Sequence, residues 1–416
     1  MIKTEVLDIL KTGHNVFLTG SAGVGKTFLL NKFINYLKKK KIAVGITAST
    51  GIAATHLDGR TIHSWIGMGI AENMNDTEIK KLTKKEDLKK RIRETRVLII
   101  DEISMLDADR LDLVDRICRA IKNPFLSFGG LKVVLCGDFF QLPPVNKEKN
   151  PQFAYKASVW QNCGIKVCYL EGTFRQEDKK FINVLNQIRE NKAGQEVLRT
   201  LQQRLYQPIN NVQKPTKLYT HNIDVDAIND YELARLPGDE VSYYMTEYGP
   251  KDLVDSLKKS CLAPKELKLR IDALVMFIKN NFDAGYVNGT LGKVIGFNED
   301  KYPIIKTRTG KKIILTPSSW KIEEDDRVIA RISQIPLRLA WAITVHKSQG
   351  MSLDAAEIDL SKSFECGMGY VALSRVRTLS GIRLMGINEM ALKVNEEVVE
   401  KDKEFKSLSK QLENEI

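Results

Sequence analysis

The segment Gly20 to Thr27 reads GSAGVGKT, and it lies between the strand-length run NVFLTG and a helical repeat of Phe28, Leu29, Leu30, Phe33, Ile34 and Leu37. This placement constrains the fold more than any other feature of the chain. Glycines let backbone amides close around an anion, and the unpaired amides and dipole of a helix opening at Thr27 favour negative charge. Lys26 reaches toward the outer groups of a polyphosphate, and the Thr27 hydroxyl is a ligand for magnesium. A strand, a glycine loop and a helix in this order belong to an α/β architecture with a parallel sheet. Gly20, Ser21, Ala22, Gly23, Val24, Gly25, Lys26 and Thr27 are therefore the expected nucleotide-binding loop.

The remaining chain extends that architecture. The runs IAVGITAS, RVLIIDE, LKVVLCGD, IKVCYLEG and TKLYTHN alternate with amphipathic helical patterns, as in parallel sheets covered on both faces. At 416 residues the chain exceeds one ordinary core, so two to four packed units are expected. From about 265 to 335 the texture changes to short β-rich pieces with Asn-Gly and Thr-Gly turns, which reads as a small antiparallel barrel inserted into an α/β unit. Residues from about 70 to 96 are polar and lysine-rich, with acidic residues interspersed.

Composition excludes several classes. Hydrophobic residues make up 43% and charged residues 28% of the chain, which fits a globular protein and not a disordered one. No run approaches the ~20 apolar residues of a bilayer span. The opening MIKTEVLDIL is charged at once and lacks an apolar leader, so a cytoplasmic location is expected. Six cysteines and five histidines show no metal or disulfide spacing, and reduced, structural cysteines are expected. The net charge of +12 suits a polyanionic partner without identifying one.

Residues for hydrolysis follow the loop. In VLIIDEIS a buried strand delivers Asp101 and Glu102 to the sheet edge where ligands of open α/β sheets bind. Asp101 is the expected magnesium ligand, directly or through water, and Glu102 the general base that orients an attacking water. In VVLCGDFFQLPPV, Gln141 stands where it could touch both the terminal phosphate and that water, with Pro143 and Pro144 stiffening the exit. Arg175 in GTFRQ and Arg375 in YVALSRVR are candidate arginine fingers, against the plain alternative of surface salt bridges.

Taken together these residues resemble the superfamily-one DNA helicases that move 5′ to 3′, and within them the RecD-like petite-integration-frequency family. The resemblance covers almost the whole chain and rests on ten ordered blocks: GSAGVGKT, TASTGIAA, GRTIHSW, DEISMLDADRLD, FGGLKVVLCGDFFQLPPV, FRQ, THN, VNGT, TVHKSQGMSLD and YVALSRVR. It implies ATP and Mg²⁺ as cofactors and gives Lys26, Thr27, Asp101, Glu102, Gln141, Arg175 and Arg375 the roles just argued. It implies further that Gly350 joins the nucleotide-binding set. Thr47, Ser49, Thr50 and His63 become first-domain contacts to the strand, and Thr220, His346, Lys347 and Ser348 second-domain contacts. Asn288 and Gly289 resemble a DNA-facing turn of the inserted barrel. These are donor side chains at loop positions, suited to a phosphate backbone and blind to base identity.

The implied fold is α/β: two RecA-like parallel-sheet domains, a small inserted helical element and an inserted antiparallel β-barrel of SH3-like form. The expected bounds are 1–163 for the first domain, with a wedge-type insertion near 66–96. Residues 164–264 with 336–392 form the second domain, 265–335 the barrel and 393–416 a charged C-terminal helix. Plain structural readings stand beside several assignments. His63 could be a buried histidine, Ser49 or Thr50 a helix cap, Trp65 a core filler and Lys80 to Arg96 a solvated helix. Relatives carry an adenine-reading glutamine before the first helix, and MIKTEVLDIL has none. The chain also resembles a bare motor core without long extensions.

The expected activity is an ATP-driven motor whose two RecA-like domains close on ATP and open after hydrolysis. Its expected partners are single-stranded DNA, forked or tailed duplexes and four-stranded guanine structures. Two alternatives remain open at this point: an RNA-directed motor, and a nucleotide-switched DNA-binding protein that moves nothing.

Overall fold

The computed structural model describes residues 1–415 apart from 58, 69–73, 145–151, 173–174, 177, 210–214, 221–222, 262, 280, 282–283, 287–289, 308–309 and 325–326. The chain divides into two compact units, Met1–Arg175 with Val394–Ile416, and Gln176–Lys393. No helix among the described residues is long and apolar enough to cross a membrane.

The first unit is built on a six-stranded parallel sheet. Its strands are β1 (Val16–Gly20), β2 (Val44–Ala48), β3 (Arg60–Thr61), β4 (Val97–Asp101), β5 (Lys132–Cys136) and β6 (Lys166–Leu170), in the spatial order β3-β2-β4-β5-β1-β6. β1 and β4 are buried at every position, as expected of apolar runs covered on both faces. The helices are α1 (Lys3–Lys11), α2 (Lys26–Lys39), α3 (Gly51–His56), α4 (Ile62–Ile66), α5 (Asp76–Leu82), α6 (Glu86–Glu94), α7 (Ala108–Ile121) and α8 (Ser158–Asn162). α2 buries Leu29, Leu30, Phe33, Ile34 and Leu37, the stripe that its spacing predicts.

Local chemistry explains the less regular parts. Trp65 is 3% exposed and fills the core; its indole lies so near Gly45 that a Cβ there would come within 2.9 Å of the ring. The lysine-rich insertion becomes the two short helices α5 and α6. Asn75 and Glu78 close a reciprocal capping box on α5, and Ile79, Leu82, Leu88 and Ile92 are buried beneath the polar surface. Arg91 Nε donates to the Trp65 carbonyl at 3.0 Å, tying α6 to α4. In the FGG turn, Phe128 and Gly129 have positive φ, and the Asp115 carboxylate accepts the Phe128 amide.

β6 was expected in the second domain, on the far side of a boundary at 163. It instead pairs with β1 in register from Val16↔Lys166 to Gly20↔Leu170 and closes the first sheet. A run such as IKVCYLEG specifies a buried strand but not its neighbour, and α8 supplies the short return that places it beside β1.

The second unit begins with α9 (Lys179–Arg189), α10 (Gln195–Gln202), β7 (Thr216–Tyr219) and α11 (Ile223–Ala234). An antiparallel region follows. Its elements are β8 (Val241–Tyr244), β9 (Thr246–Tyr248), α12 (Lys251–Ser260), β10 (Glu266–Leu269), β11 (Leu274–Phe277), β12 (Leu291–Phe297), β13 (Pro303–Thr307), β14 (Lys312–Ile314), β15 (Ser318–Glu324), β16 (Arg327–Gln334) and β17 (Leu337–Leu339). The chain then returns to β18 (Ala342–Thr344), β19 (Ala356–Leu360), α13 (Met368–Ser374) and β20 (Ile382–Ile387). β18, β7, β19 and β20 form a parallel four-stranded sheet in that order.

The inserted strands form a five-stranded sheet, β14-β13-β12-β11-β17, and two smaller sheets, β10-β8 and β15-β16-β9. Their core gathers Leu267, Val275, Phe277, Val294, Ile305 and Leu337. The antiparallel region reaches outside the expected 265–335, because β8 and β9 are the partners of β10 and β16.

The last helix, α14 (Glu396–Glu415), belongs to the first unit. It buries Val398, Asp402, Phe405, Ser409 and Leu412, a stripe at alternating spacings of four and three. Phe405 meets Phe17 of β1 with ring centroids 4.9 Å apart, and the Ser409 hydroxyl accepts the Tyr169 amide of β6 at 3.0 Å. The helix thus covers the edge strand that the sheet would otherwise leave open.

Candidate functional site

The phosphate loop leaves β1 at Gly20, whose φ of 142° and close approach to the Leu170 carbonyl leave no room for a side chain. Gly23 and Gly25 also have positive φ, and Gly25 stands at the start of α2 in the left-handed conformation. Lys26 follows. Its ammonium donates to the carbonyls of Gly20 at 2.7 Å and Ser21 at 3.1 Å, so it lies across the loop on weak neutral acceptors. A polyphosphate offers it stronger, charged ones. Thr27 is exposed in the first turn of α2.

β4 delivers the acidic pair to the same edge. Asp101 is 6% exposed, and its carboxylate accepts the Glu102 amide at 2.9 Å. Burial pushes the Asp101 carboxyl above the ordinary range, opposed by the Glu102 N–H, by the Cys136 thiol and by the nearby Lys26 ammonium. Lys26 and Asp101, seventy-five positions apart in sequence, are therefore electrostatic neighbours. A hydroxyl and a carboxylate are hard oxygen donors, the set that binds magnesium when substrate phosphates supply the other ligands. Glu102 has φ 51° and ψ 45°, a left-handed conformation that costs a non-glycine residue energy and aims the side chain away from the strand line. Gln141 is 6% exposed, and its side-chain oxygen has no hydrogen-bond partner among the described residues. A buried amide oxygen in that state is costly and suits a group that meets a ligand or water.

Cys136, at the end of β5, is a member of this site that the sequence reading took for a structural thiol. Its only sequence signal was its place one residue before GDFFQ. Burial raises its pKa far above the usual thiol value, so it acts as a neutral donor to Asp101.

In the second unit Arg375 is 1% exposed at the end of α13. Its guanidinium donates to the Val371 carbonyl and the Ser374 hydroxyl, both at 2.9 Å. Gln176 holds the same turn: its amide donates to the carbonyls of Ser374 at 3.0 Å and Val376 at 3.2 Å, which flank Arg375. The FRQ block was read for Arg175, and Gln176 was missed. Arg175 itself is half-buried after β6.

The expected strand contacts divide into several kinds. Thr47 is fully buried and donates its hydroxyl to the Ile99 carbonyl at 2.6 Å, so its assignment as a strand contact is corrected: it fastens β2 to β4. Ser348 is corrected likewise, being fully buried with its hydroxyl on the Val345 carbonyl at 2.7 Å. A strand backbone cannot reach either oxygen. Ser49 is 9% exposed and donates to the Glu102 carbonyl at 2.6 Å, while its amide donates to the Asp101 carbonyl at 3.0 Å. It thereby links the TASTG loop to the acidic pair. Thr50 accepts the Ala53 amide at 3.3 Å in the manner of a helix cap on α3.

Thr220 is buried at 7% exposure after β7. His346 and Lys347 are half-buried in a short turn after β18, and Gly350 follows them with φ 73°. Burial lowers the pKa of both His346 and Lys347, and Arg338 lowers that of Lys347 further. Arg338 is thus a second cation beside this turn, one that the sequence reading did not single out. Asn288 and Gly289 lie outside the described residues.

His63 sits in α4, where burial and the nearby Arg110 lower its pKa to about 4. A half-buried neutral imidazole has a sign for stability. Between its ordinary value and about 4 the unfolded chain binds a proton that the folded one refuses, so stability falls as pH falls through that window. Denaturant unfolding at pH 7 and pH 5 should show a loss of order 2 kcal/mol from this group. His63→Gln should remove that part of the pH dependence, and an unchanged pH profile in the variant would rule the imidazole out as its source.

The chain is similar to known proteins of one family. The family model for PIF1-like helicase matches residues 3–198, and that for the DNA helicase Pif1 2B domain matches residues 252–297. An ATP-dependent DNA helicase Pif1 of Psychrobacter sp. is 43% identical over 98% of this chain and 71% of its own length. The ATP-dependent DNA helicase PIF1 of Xenopus laevis is 36% identical over 95% of the chain, which spans 62% of that relative's length. Among solved structures, Bacteroides sp Pif1 in complex with ADP-AlF4 superposes with a TM-score of 0.83 at 32% identity, covering 98% of each chain. Bacteroides Pif1 bound to ssDNA gives a TM-score of 0.67 at 31% identity, again covering 98% of each.

Proposed function

The chain belongs to the PIF1-like helicase family, and from that premise we propose that it is an ATP-dependent DNA helicase that moves 5′ to 3′ on single-stranded DNA. One observation carries the catalytic half of this reading. The ammonium of Lys26, the carboxylate of Asp101 and the oxygen of Gln141, unpartnered among the described residues, lie in the loop after β1, at the end of β4 and in the loop after β5, at one edge of one sheet.

In this reading the amides from Gly20 to Thr27 hold the phosphates, and Lys26 exchanges its loop carbonyls for the outer phosphate oxygens. Thr27 and Asp101 would hold Mg²⁺, which neutralises charge on the phosphates when bound. Glu102 orients and deprotonates the attacking water, and Gln141 positions that water against the terminal phosphate. Arg175 and Arg375 stabilise charge developing on the transferred group; Gln176 positions Arg375. The reaction asks little covalent chemistry of the protein beyond this placement.

On the track side, His63, Thr50, Thr220, His346 and Lys347 contact the strand backbone, with Arg338 added to the set. Ser49 couples that loop to Glu102 through its hydroxyl. Asn288 and Gly289 remain assigned to the DNA-facing turn, and Gly350 to the nucleotide set. The favoured substrates are tailed or forked duplexes, with four-stranded guanine structures as a further class. The residue ranges 1–163, 164–264 with 336–392, 265–335 and 393–416 are assigned roles as first motor domain, second motor domain, inserted barrel and C-terminal helix, with β6 and α14 counted in the first.

Hydrolysis measured with single-stranded DNA, with RNA of the same sequence and with neither tests the reading. DNA should stimulate turnover without sequence preference. Binding should weaken by at least about tenfold between low and physiological salt, since phosphate contacts release counterions. Selective stimulation by RNA would replace the reading with an RNA motor. No stimulation would leave a nucleotide-switched binding protein.

A further inference from the structure

Gln141 hangs from a short turn after β5. The Gly137 amide donates to the Leu18 carbonyl of β1 at 3.1 Å, the Phe140 amide to the Asp138 carboxylate at 3.3 Å and the Gln141 amide to the Asp138 carbonyl at 3.0 Å. These bonds shape the backbone of the turn, but the Gln141 side-chain oxygen has no partner among the described residues. Its aim therefore depends on how firmly the turn is seated. The seat is the ring of Phe139, which is 5% exposed and lies two residues before Gln141.

Phe139 sits among rings drawn from distant parts of the chain. Its centroid lies 5.5 Å from that of Phe17 in β1, 4.9 Å from Tyr155 in the turn before α8 and 6.1 Å from Trp160 in α8. The remaining wall comes from α14. Phe405, 3% exposed, stacks on Phe139 with centroids 6.1 Å apart and planes 24° apart, and it lies 4.9 Å from Phe17, 6.2 Å from Tyr155 and 6.3 Å from Trp160. One ring of the last helix thus meets all four. The helix is fastened on either side of it: Glu397 accepts the Tyr155 hydroxyl at 2.8 Å and pairs with Lys156 at 2.7 Å, and Ser409 holds the Tyr169 amide at 3.0 Å.

We infer that Phe405 is a positioning residue for hydrolysis: through Phe139 it seats the turn that aims Gln141 at the terminal phosphate and the attacking water. The inference rests on the role proposed above for Gln141. Close-packed rings resist displacement, because moving one forfeits contacts with several neighbours. Removing the Phe405 ring opens space beside Phe139 and frees the turn, and a misplacement of about 1 Å at a reacting group can cost about 10²-fold in rate. Phe17 also meets Phe405, but β1 is held on both sides by its ladders to β5 and β6. The turn has no such ladder. α14 follows the whole second unit in sequence, so the seat of Gln141 is closed by a segment remote from every motif around it.

Single-turnover ATP hydrolysis with magnesium and saturating single-stranded DNA tests this in the full chain, in Phe405→Ala, Phe405→Leu and Gln141→Ala, and in each Phe405 variant combined with Gln141→Ala. Gln141→Ala should slow the chemical step about 10²-fold. Phe405→Ala should lower the rate constant about tenfold and Phe405→Leu, which keeps apolar bulk without the ring, about threefold, with nucleotide and DNA affinities within about twofold of the unaltered protein. The leucine variant serves where the alanine variant is poorly folded. A smaller folded fraction alone would lower the amplitude and leave the rate constant unchanged. Neither substitution should slow Gln141→Ala further, because the group that they position is already gone. Equal slowing in both backgrounds, or a rate constant unmoved by either Phe405 substitution, overturns the inference and leaves the motor reading intact. Full-rate hydrolysis by Gln141→Ala removes the role assigned to Gln141 and this inference with it.

Discussion

Lys26→Ala is expected to lower DNA-stimulated hydrolysis by about 10³-fold or more, since a charged donor aimed at developing phosphate charge is removed from a fixed site. The loss has two parts. The ammonium no longer reaches the phosphates, and the Gly20 and Ser21 carbonyls that it now holds at 2.7 and 3.1 Å lose their donor. Asp101 also loses the nearby cation that opposes the effect of burial on its carboxyl. Binding to single-stranded DNA, measured by anisotropy without nucleotide, should be unchanged, because among the described residues Lys26 bonds to the carbonyls of its own loop and to none of the proposed track residues. Turnover near the wild-type rate in this variant would remove the loop from the mechanism.

Glu102→Gln is expected to slow hydrolysis by roughly 10²–10⁴-fold while nucleotide binding persists. The substitution keeps size and shape, so the left-handed backbone at this position and the Ser49 hydrogen bond to its carbonyl are retained. What is lost is the ability to take a proton from water. Single-turnover measurement separates the two steps: rapid nucleotide binding followed by a stalled chemical step supports the base assignment. An unslowed chemical step would move that role to another group. Because Ser49 joins the TASTG loop to Glu102, the stalled variant should also hold DNA tightly in the presence of ATP.

The sequence made much of the catalytic edge legible because its signals are local. GSAGVGKT between a strand and a helix, and VLIIDE ending in two acids, each specify their own geometry, and the structure places them at the same edge of one sheet with β5 between their strands. Pairing was less legible. IKVCYLEG specifies a buried strand, yet nothing within it says that its partner is β1, and the boundary drawn before it fell in the wrong place for the sheet. α14 was read as a charged helix because two of its five buried positions, Asp402 and Ser409, are polar and break the apolar stripe. Each is satisfied by Tyr169, which accounts for their burial: its hydroxyl donates to Asp402 at 3.0 Å and its amide to Ser409 at 3.0 Å.

Hydroxyl side chains misled the reading for a related reason. Thr47 and Ser348 have the right chemistry for a phosphate contact, and a resemblance cannot show which way a hydroxyl turns. Burial decides it. Cys136 and Gln176 were missed because each acts on a neighbour far away in sequence: one donates to Asp101, the other brackets Arg375.

The central claim is that hydrolysis at this sheet edge drives travel along a DNA strand in one direction. Single-turnover strand separation with ATP and magnesium tests it most directly, comparing duplexes with only a 5′ single-stranded tail against duplexes with only a 3′ tail, with Lys26→Ala as control. The account predicts unwinding of the 5′-tailed duplex alone and none by the variant. Equal unwinding of both, unwinding confined to the 3′-tailed duplex, or separation that persists in Lys26→Ala would contradict it.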